Sequence, residues 1–246
     1  MVKNLEGDTY MESRAPFLGV LCWEEGGNPK GLEQLESLSG NSINPLTYPF
    51  PVLFKRVAGA NYQSVLVAPD GRLVGAMIKA AESMIDQGIK AIITSCGFNA
   101  IFQKELADAL PVPVYTSALM QIPFVRASLG RKKLLVITAS KQDLKVEHFQ
   151  AVGVPDMRGI VIYGMDEMPE WSKISRSPNQ LLSMDKIENE VVSLAAAAKK
   201  EHPDIGAILL ECTDLPPFAE AVRKSVKLQV YDLLTMVALI SKSFSE

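Results

Sequence analysis

The sequence predicts an α/β fold of two related lobes, each built on a parallel sheet, with an active-site cleft between them. Three observations carry that prediction. Short apolar runs alternate with stretches of helical periodicity, the pattern of βαβ units. Their Val, Ile and Leu content suits strands covered on both faces. One stretch of chain also repeats another at a fixed offset. With 246 residues, 48% hydrophobic and 22% charged, the chain is long enough for two domains and has a globular composition.

Strands are expected at 17–22, 52–57, 91–96, 112–115, 133–138, 159–163, 206–211 and 228–231. After the second of these, Leu73, Val74, Met77, Ile78, Ala81, Met84 and Ile85 recur at helical spacing, and Gly88 follows where a left-handed cap is wanted. Residues 164–184 hold two prolines and Trp171 without a clear period. They read as a long connection of the kind that serves as a lid or binding loop. A further helix is expected over about 185–200, with Ile187, Val191, Leu194, Ala195 and Ala198 on one face. Asp185, three residues ahead of Glu188, suggests a capping box at its start.

The repeat pairs AIITSCGFNAIFQKELADALPVPVYTSALM, from Ala91, with AILLECTDLPPFAEAVRKSVKLQVYDLLTM, from Ala207. Without a gap, one offset takes Cys96 to Cys212, Phe102 to Phe218, Tyr115 to Tyr231 and Met120 to Met236. The same offset places 17–22 on 133–138, whereas 52–57 resembles 159–163 only at a shorter one. A duplicated α/β unit follows. The expected division is residues 1–118 plus 230–246 for a first lobe carrying Cys96, and 119–229 for a second carrying Cys212.

A net charge of −3 with scattered basic residues offers no stripe to neutralise a phosphate backbone, so nucleic acid is not an expected partner. The opening MVKNLEGDTYMESR is too polar for a signal-peptide core, and no apolar run approaches the roughly 18 residues that span a bilayer. A cytoplasmic protein without a membrane partner is expected. Three cysteines make no disulfide framework, and His148 and His202 are the only histidines, with no Cys-x-x-Cys or His-x-x-x-His spacing. Neither a metal nor another cofactor is expected.

Each of Cys96 and Cys212 ends a strand and precedes a helix, at the carboxyl edge where open α/β sheets bind ligands. A helix N-terminus favours a thiolate. Removing a proton from the carbon beside a carboxylate requires a base, an acid on the other face and donors for the developing enediolate. A thiolate and a thiol, with the N–H groups of Gly97, Phe98 and Thr213 after the cysteines, would supply all three, and Asn99 is read as a further substrate-binding residue. Cys22 is expected to be ordinary core packing.

The SCGFN and LLECTDLPPF stretches resemble the Asp/Glu/hydantoin racemase superfamily over nearly the whole chain. That resemblance implies two pseudo-symmetric Rossmann-like lobes with Cys96 and Cys212 as acid/base thiols. It further implies that Thr213 and the N–H groups after the cysteines hold a carboxylate, that Thr138 and Ser140 line the cleft, and that the protein is a homo-oligomer. Asp214 stands where glutamate racemases have histidine, and the first strand ends in LCWEEGGNP instead of Asp-Ser-Gly. CGF…FQ with LLECTDLPPFA is closer to the branch containing the algal-type dimethylsulfoniopropionate lyases. The leading expectation is a racemase or isomerase of a small amino-acid-like carboxylate. The alternative is a lyase using the same cysteines for β-elimination, with Trp23 or Tyr62 facing a sulfonium and Glu24 and Glu25 meeting a cationic group.

Overall fold

In the computed structural model, which describes residues 15–24, 26 and 28–244, eight strands form two four-stranded parallel sheets. β1 (Leu18–Cys22), β2 (Val52–Arg56), β3 (Ala91–Thr94) and β4 (Val114–Tyr115) assemble in the order β2-β1-β3-β4. β5 (Lys133–Thr138), β6 (Ile160–Gly164), β7 (Ile205–Leu210) and β8 (Gln229–Tyr231) assemble in the order β6-β5-β7-β8. The second order is the first with each strand replaced by its counterpart. The polar stretch at 1–14 and Glu25 lie outside the described residues.

Among the described residues the helices are α1 (Lys30–Glu36), α2 (Leu73–Ile85), α3 (Gln103–Ala109), α4 (Ile122–Leu129), α5 (Val146–Ala151), α6 (Lys173–Arg176), α7 (Met184–Glu201), α8 (Ala219–Val226) and α9 (Leu233–Ser243). The apolar stripe of α2 is buried through Leu73, Met77, Ala81 and Met84, and Gly88 takes the left-handed φ of +93° after the helix, as the spacing requires. α7 buries Ile187, Val191, Ala195 and Ala198, four of the five residues expected on its inner face; Leu194 is only partly covered. Its start differs from the capping-box expectation. Ser183 is the cap, no side chain caps the helix, and Asp185 lies within the first turn. There its charge still meets the positive end of the helix dipole.

Strand alternation sorts the cores. Leu135 and Ile137 of β5, with Ile208 and Leu210 of β7, face α7 and α8. Leu134 and Val136, with Ala207 and Leu209, face the cluster holding Ile122 and Val125 of α4. Leu18, Val20, Ala91 and Ile93 of the first sheet pack under Leu233, Met236, Val237 and Ile240 of α9. The connection is therefore reciprocal. The helix after β4 covers the second sheet, and the helix after β8 returns to cover the first. This exchange ties the lobes together and keeps the carboxyl ends of β3 and β7 against each other.

Residues 164–184 are more structured than their composition suggests, holding a short 3₁₀ turn at Met165–Glu167 and then α6. Glu190 of α7 accepts the backbone N–H groups of Glu170 (2.6 Å) and Trp171 (2.9 Å), and Glu170 in turn accepts that of Ser183 (2.9 Å). The segment also reaches the first lobe. Lys30 donates its N–H to the Pro178 carbonyl at 2.7 Å, and Leu182 donates to Gln34 Oε1 at 2.6 Å. Among the described residues no helix is long and apolar enough to cross a membrane.

Candidate active site

The end of β3 delivers Ser95, Cys96 and Gly97, and the end of β7 delivers Glu211, Cys212 and Thr213. The two turns interlock. The Thr213 hydroxyl donates to the Ser95 carbonyl, while the Glu211 side chain occupies the space above Gly97. A Cβ added to Gly97 would lie 2.5 Å from the Glu211 carbonyl oxygen and closer still to its carboxyl, so glycine is required there by close approach. Beyond Gly97 a 3₁₀ turn, Gly97–Phe102, sets Phe98 edge-on against His148 of α5, with ring centroids 5.3 Å apart.

Both sulfurs are nearly buried, Cys96 at 8% and Cys212 at 7% exposure. Burial pushes both thiols well above their ordinary value. For Cys96 the charge of Glu211 adds to this, opposed by the backbone N–H groups of Phe98 and Asn99. For Cys212 the nearby Asp214 is the second cause, then Glu211, with the Asp214 N–H opposing and Cys96 itself contributing. Cys212 Sγ donates to Asp214 Oδ2 at 3.6 Å. Asp214 is held from its other side by Asn41 Nδ2 at 2.7 Å, and burial raises its carboxyl to about 6. Behind it Glu36 is pushed up to about 7, first by burial and then by the charge of Asp214.

A cavity of about 260 Å³ opens beside Cys212 between the lobes. Trp23 and Tyr62 come from the first lobe, and Ser140, Asp143, Asp166 and Trp171 from the second. Trp23 and Tyr62 meet edge-on at 6.5 Å, and Ser140 Oγ donates to Asp143 Oδ2 at 2.6 Å. No lysine or arginine is among the described residues of the wall.

Of the sequence candidates, Cys212, Ser140, Trp23 and Tyr62 line this cavity. Cys96, Gly97, Phe98, Asn99 and Thr213 sit instead at the interlocked turns beside it, and Thr138, the last residue of β5, lies against them. There Thr138 donates to Glu211 Oε2 at 2.7 Å, and the buried Asn99 Oδ1 has no partner. Glu24 is exposed and accepts the Gly59 N–H at 3.0 Å. Cys22 lies away from the site in the core with Leu18, Val20 and Tyr48, where burial lifts its thiol to about 12. Asp143, Asp166, Glu211 and Asn41 went unrecognised in the sequence, since isolated acids and amides in loops carry no period. Among the described residues no three His, Cys, Asp or Glu side chains group to hold a metal ion.

No family model matches the chain. The chain is 30% identical over 217 residues to a dimethylsulfoniopropionate lyase of Durusdinium sp. clade D, covering 84% of this chain and 70% of that protein. It is 25% identical over 252 residues to dimethylsulfoniopropionate lyase 5 of Emiliania huxleyi, covering 97% of this chain. It spans only 47% of that relative's length. The fold matches allantoin racemase from Pseudomonas fluorescens with a TM-score of 0.61 at 15% identity, covering 92% of this chain and 89% of that one. It also matches an aspartate racemase homologue from Pyrococcus horikoshii, with a TM-score of 0.55 at 16% identity over 92% and 100% of the two chains. With its duplicated sheets and a cysteine at the tip of each, the chain shares the fold of these racemases and belongs to the dimethylsulfoniopropionate lyase family.

Proposed function

We propose that the cysteine pair removes a proton from the carbon beside a carboxylate, and that the reaction ends in β-elimination from a sulfonium-bearing acid of the dimethylsulfoniopropionate type. The cavity wall carries this reading. Asp143, Asp166 and Asp214 are its acidic groups, Trp23, Tyr62 and Trp171 its aromatic ones, and no lysine or arginine is among its described residues. Such a wall attracts a fixed positive charge that has no N–H to donate, through aromatic faces and nearby carboxylates. The 30% identical relative supports the same direction.

A thiolate at Cys96 takes the Cα proton, and the C–H electron pair becomes the Cα=Cβ double bond. The Cβ–S bond breaks with its pair leaving on sulfur, giving neutral dimethyl sulfide and acrylate. The proton then passes from Cys96 to water. Burial raises both thiols, but at Cys96 two N–H groups, of Phe98 and Asn99, oppose that rise, whereas Cys212 has one such group and faces the Asp214 carboxyl; Cys96 is therefore assigned as the base and Cys212 as the donor to the developing enediolate. Neither step calls for a cofactor.

The second reading, racemisation of an amino-acid-like carboxylate, rests on the pairing itself, because proton return to the opposite face uses both thiols whereas elimination needs one base. The two separate in deuterium oxide with dimethylsulfoniopropionate, amino acids and hydantoins as substrates, followed by NMR. Acrylate and dimethyl sulfide are expected. Deuterium gained at Cα of an amino acid or hydantoin, without loss of that substrate and with no alkene formed, would replace elimination by racemisation.

A further inference from the structure

We propose that Glu211 is a positioning residue, wedged between the lobes at the cysteine pair, where it sets how closely the Cys96 turn approaches and how readily Cys96 becomes a thiolate. The inference rests on the two-thiol reading above and adds a residue to it. Glu211 is fully buried, follows β7 directly and precedes Cys212. One carboxyl oxygen meets the Thr138 hydroxyl at 2.7 Å, and the other has no hydrogen-bond partner. The same side chain fills the volume above Gly97 in the opposite lobe, fixing how closely the Cys96 turn approaches the Cys212 turn. Its counterpart in the repeat is the short Ser95, so the wedge is built from one side only.

Asp214 acts on Glu211, and Glu211 and Asp214 both raise the Cys96 and Cys212 thiols; no cation is among these described groups. An ionised Glu211 would add a charge with an orphaned oxygen beside the thiolate that catalysis needs. Protonated, it keeps its Thr138 contact and adds no charge. Burial, ahead of the charge of Asp214, raises the carboxyl to about 7 despite the Thr138 hydrogen bond. The wedge is thus neutral below about pH 7 and, once ionised above it, opposes the Cys96 thiolate.

The test reads Cys96 without any substrate. In a Cys22→Ala, Cys212→Ser background only Cys96 remains to react with iodoacetamide, and its alkylation rate is followed against pH. Adding Glu211→Gln should move the profile about one pH unit lower, a tenfold faster alkylation at fixed alkaline pH, and should abolish the inflection near pH 7. In the otherwise native chain, Glu211→Ala should cost at least about tenfold in kcat with a smaller change in KM, and Glu211→Gln should recover most of it. Superimposable alkylation profiles with and without Glu211→Gln would overturn the proposal, as would a Glu211→Ala enzyme within about twofold of the native kcat. If the native chain turns over no dimethylsulfoniopropionate but the alkylation profile shifts, the lyase reading fails and the role of Glu211 stands.

Discussion

Ser95, Cys96 and Gly97 occupy the same place in the first lobe as Glu211, Cys212 and Thr213 in the second, yet the two sites differ in charge and in reach. The first turn is small and apolar: glycine follows the cysteine, and Phe98 packs on His148. The second is polar and projecting. Glu211 and Thr213 both reach across to the first lobe, and Asp214 stands where the repeat has Phe98. Duplication delivered two sulfurs to one level, and substitution around them made the pair unequal. A symmetric pair suits a reaction that runs alike in both directions, whereas an unequal pair suits one base and one donor.

Substituting the sulfurs breaks the comparison most severely. Cys96→Ser should lower kcat by about 10²–10⁴, the span of a lost general base. Cys212→Ser should cost roughly tenfold less, because a serine hydroxyl can still donate. Equal losses in the two variants, measured on dimethylsulfoniopropionate, would remove the distinction between base and donor. Gly97→Ala sharpens the comparison through packing. The added methyl collides with Glu211 backbone, and denaturant unfolding should show a loss of about 1–3 kcal/mol. Thr213→Ala at the equivalent position removes only a hydroxyl and should cost about 1 kcal/mol.

The uneven charge also sets a pH dependence. Glu211 and Glu36 rise from 4.5 to about 7, and Asp214 from 3.8 to about 6. The folded chain keeps these protons over a range where the unfolded chain releases them. Stability present near pH 4 is therefore lost progressively as the pH climbs through 6 and 7. Asp214→Asn should flatten this slope, so that thermal unfolding favours the variant more at pH 7 than at pH 4. Parallel curves would show that Asp214 does not hold its proton. The smallest effect is expected at 164–184, whose Asp166 and Trp171 line the cavity. Gln34→Ala cuts the hydrogen bond to Leu182 and should raise KM by about fivefold, the equivalent of roughly 1 kcal/mol, with kcat nearly unchanged.

Much of this architecture was legible in the chain. Apolar runs of four to six residues located all eight strands, because a sheet covered on both faces needs such runs. The offset that pairs the cysteines also pairs β1 with β5, β3 with β7 and β4 with β8, and it fails at β2 and β6 as the sequence indicates. The start of α7 is not legible in the sequence: Asp185 and Glu188 have capping-box spacing, but the helix opens at Met184 and leaves Asp185 inside its first turn. The structure in 164–184 was missed because Glu190 of a later helix and Gln34 of the other lobe hold it, and neither contact leaves a local period.

By itself the sequence determined that two α/β units exist, that each carries a cysteine at a sheet's carboxyl edge, and which residues flank them; the structure puts each cysteine two residues past its strand end. Periodicity and repetition are properties of neighbouring residues and survive in one dimension. Only the tertiary structure decided that Glu211 lies over Gly97, that Asn41 holds Asp214, and that the cavity opens on Cys212 with no lysine or arginine among the described residues of its wall. Those facts fix the charge around each thiol. They depend on side chains more than a hundred residues apart meeting in a desolvated space, where a single carboxyl shifts the proton affinity of its neighbours far more than it would in water.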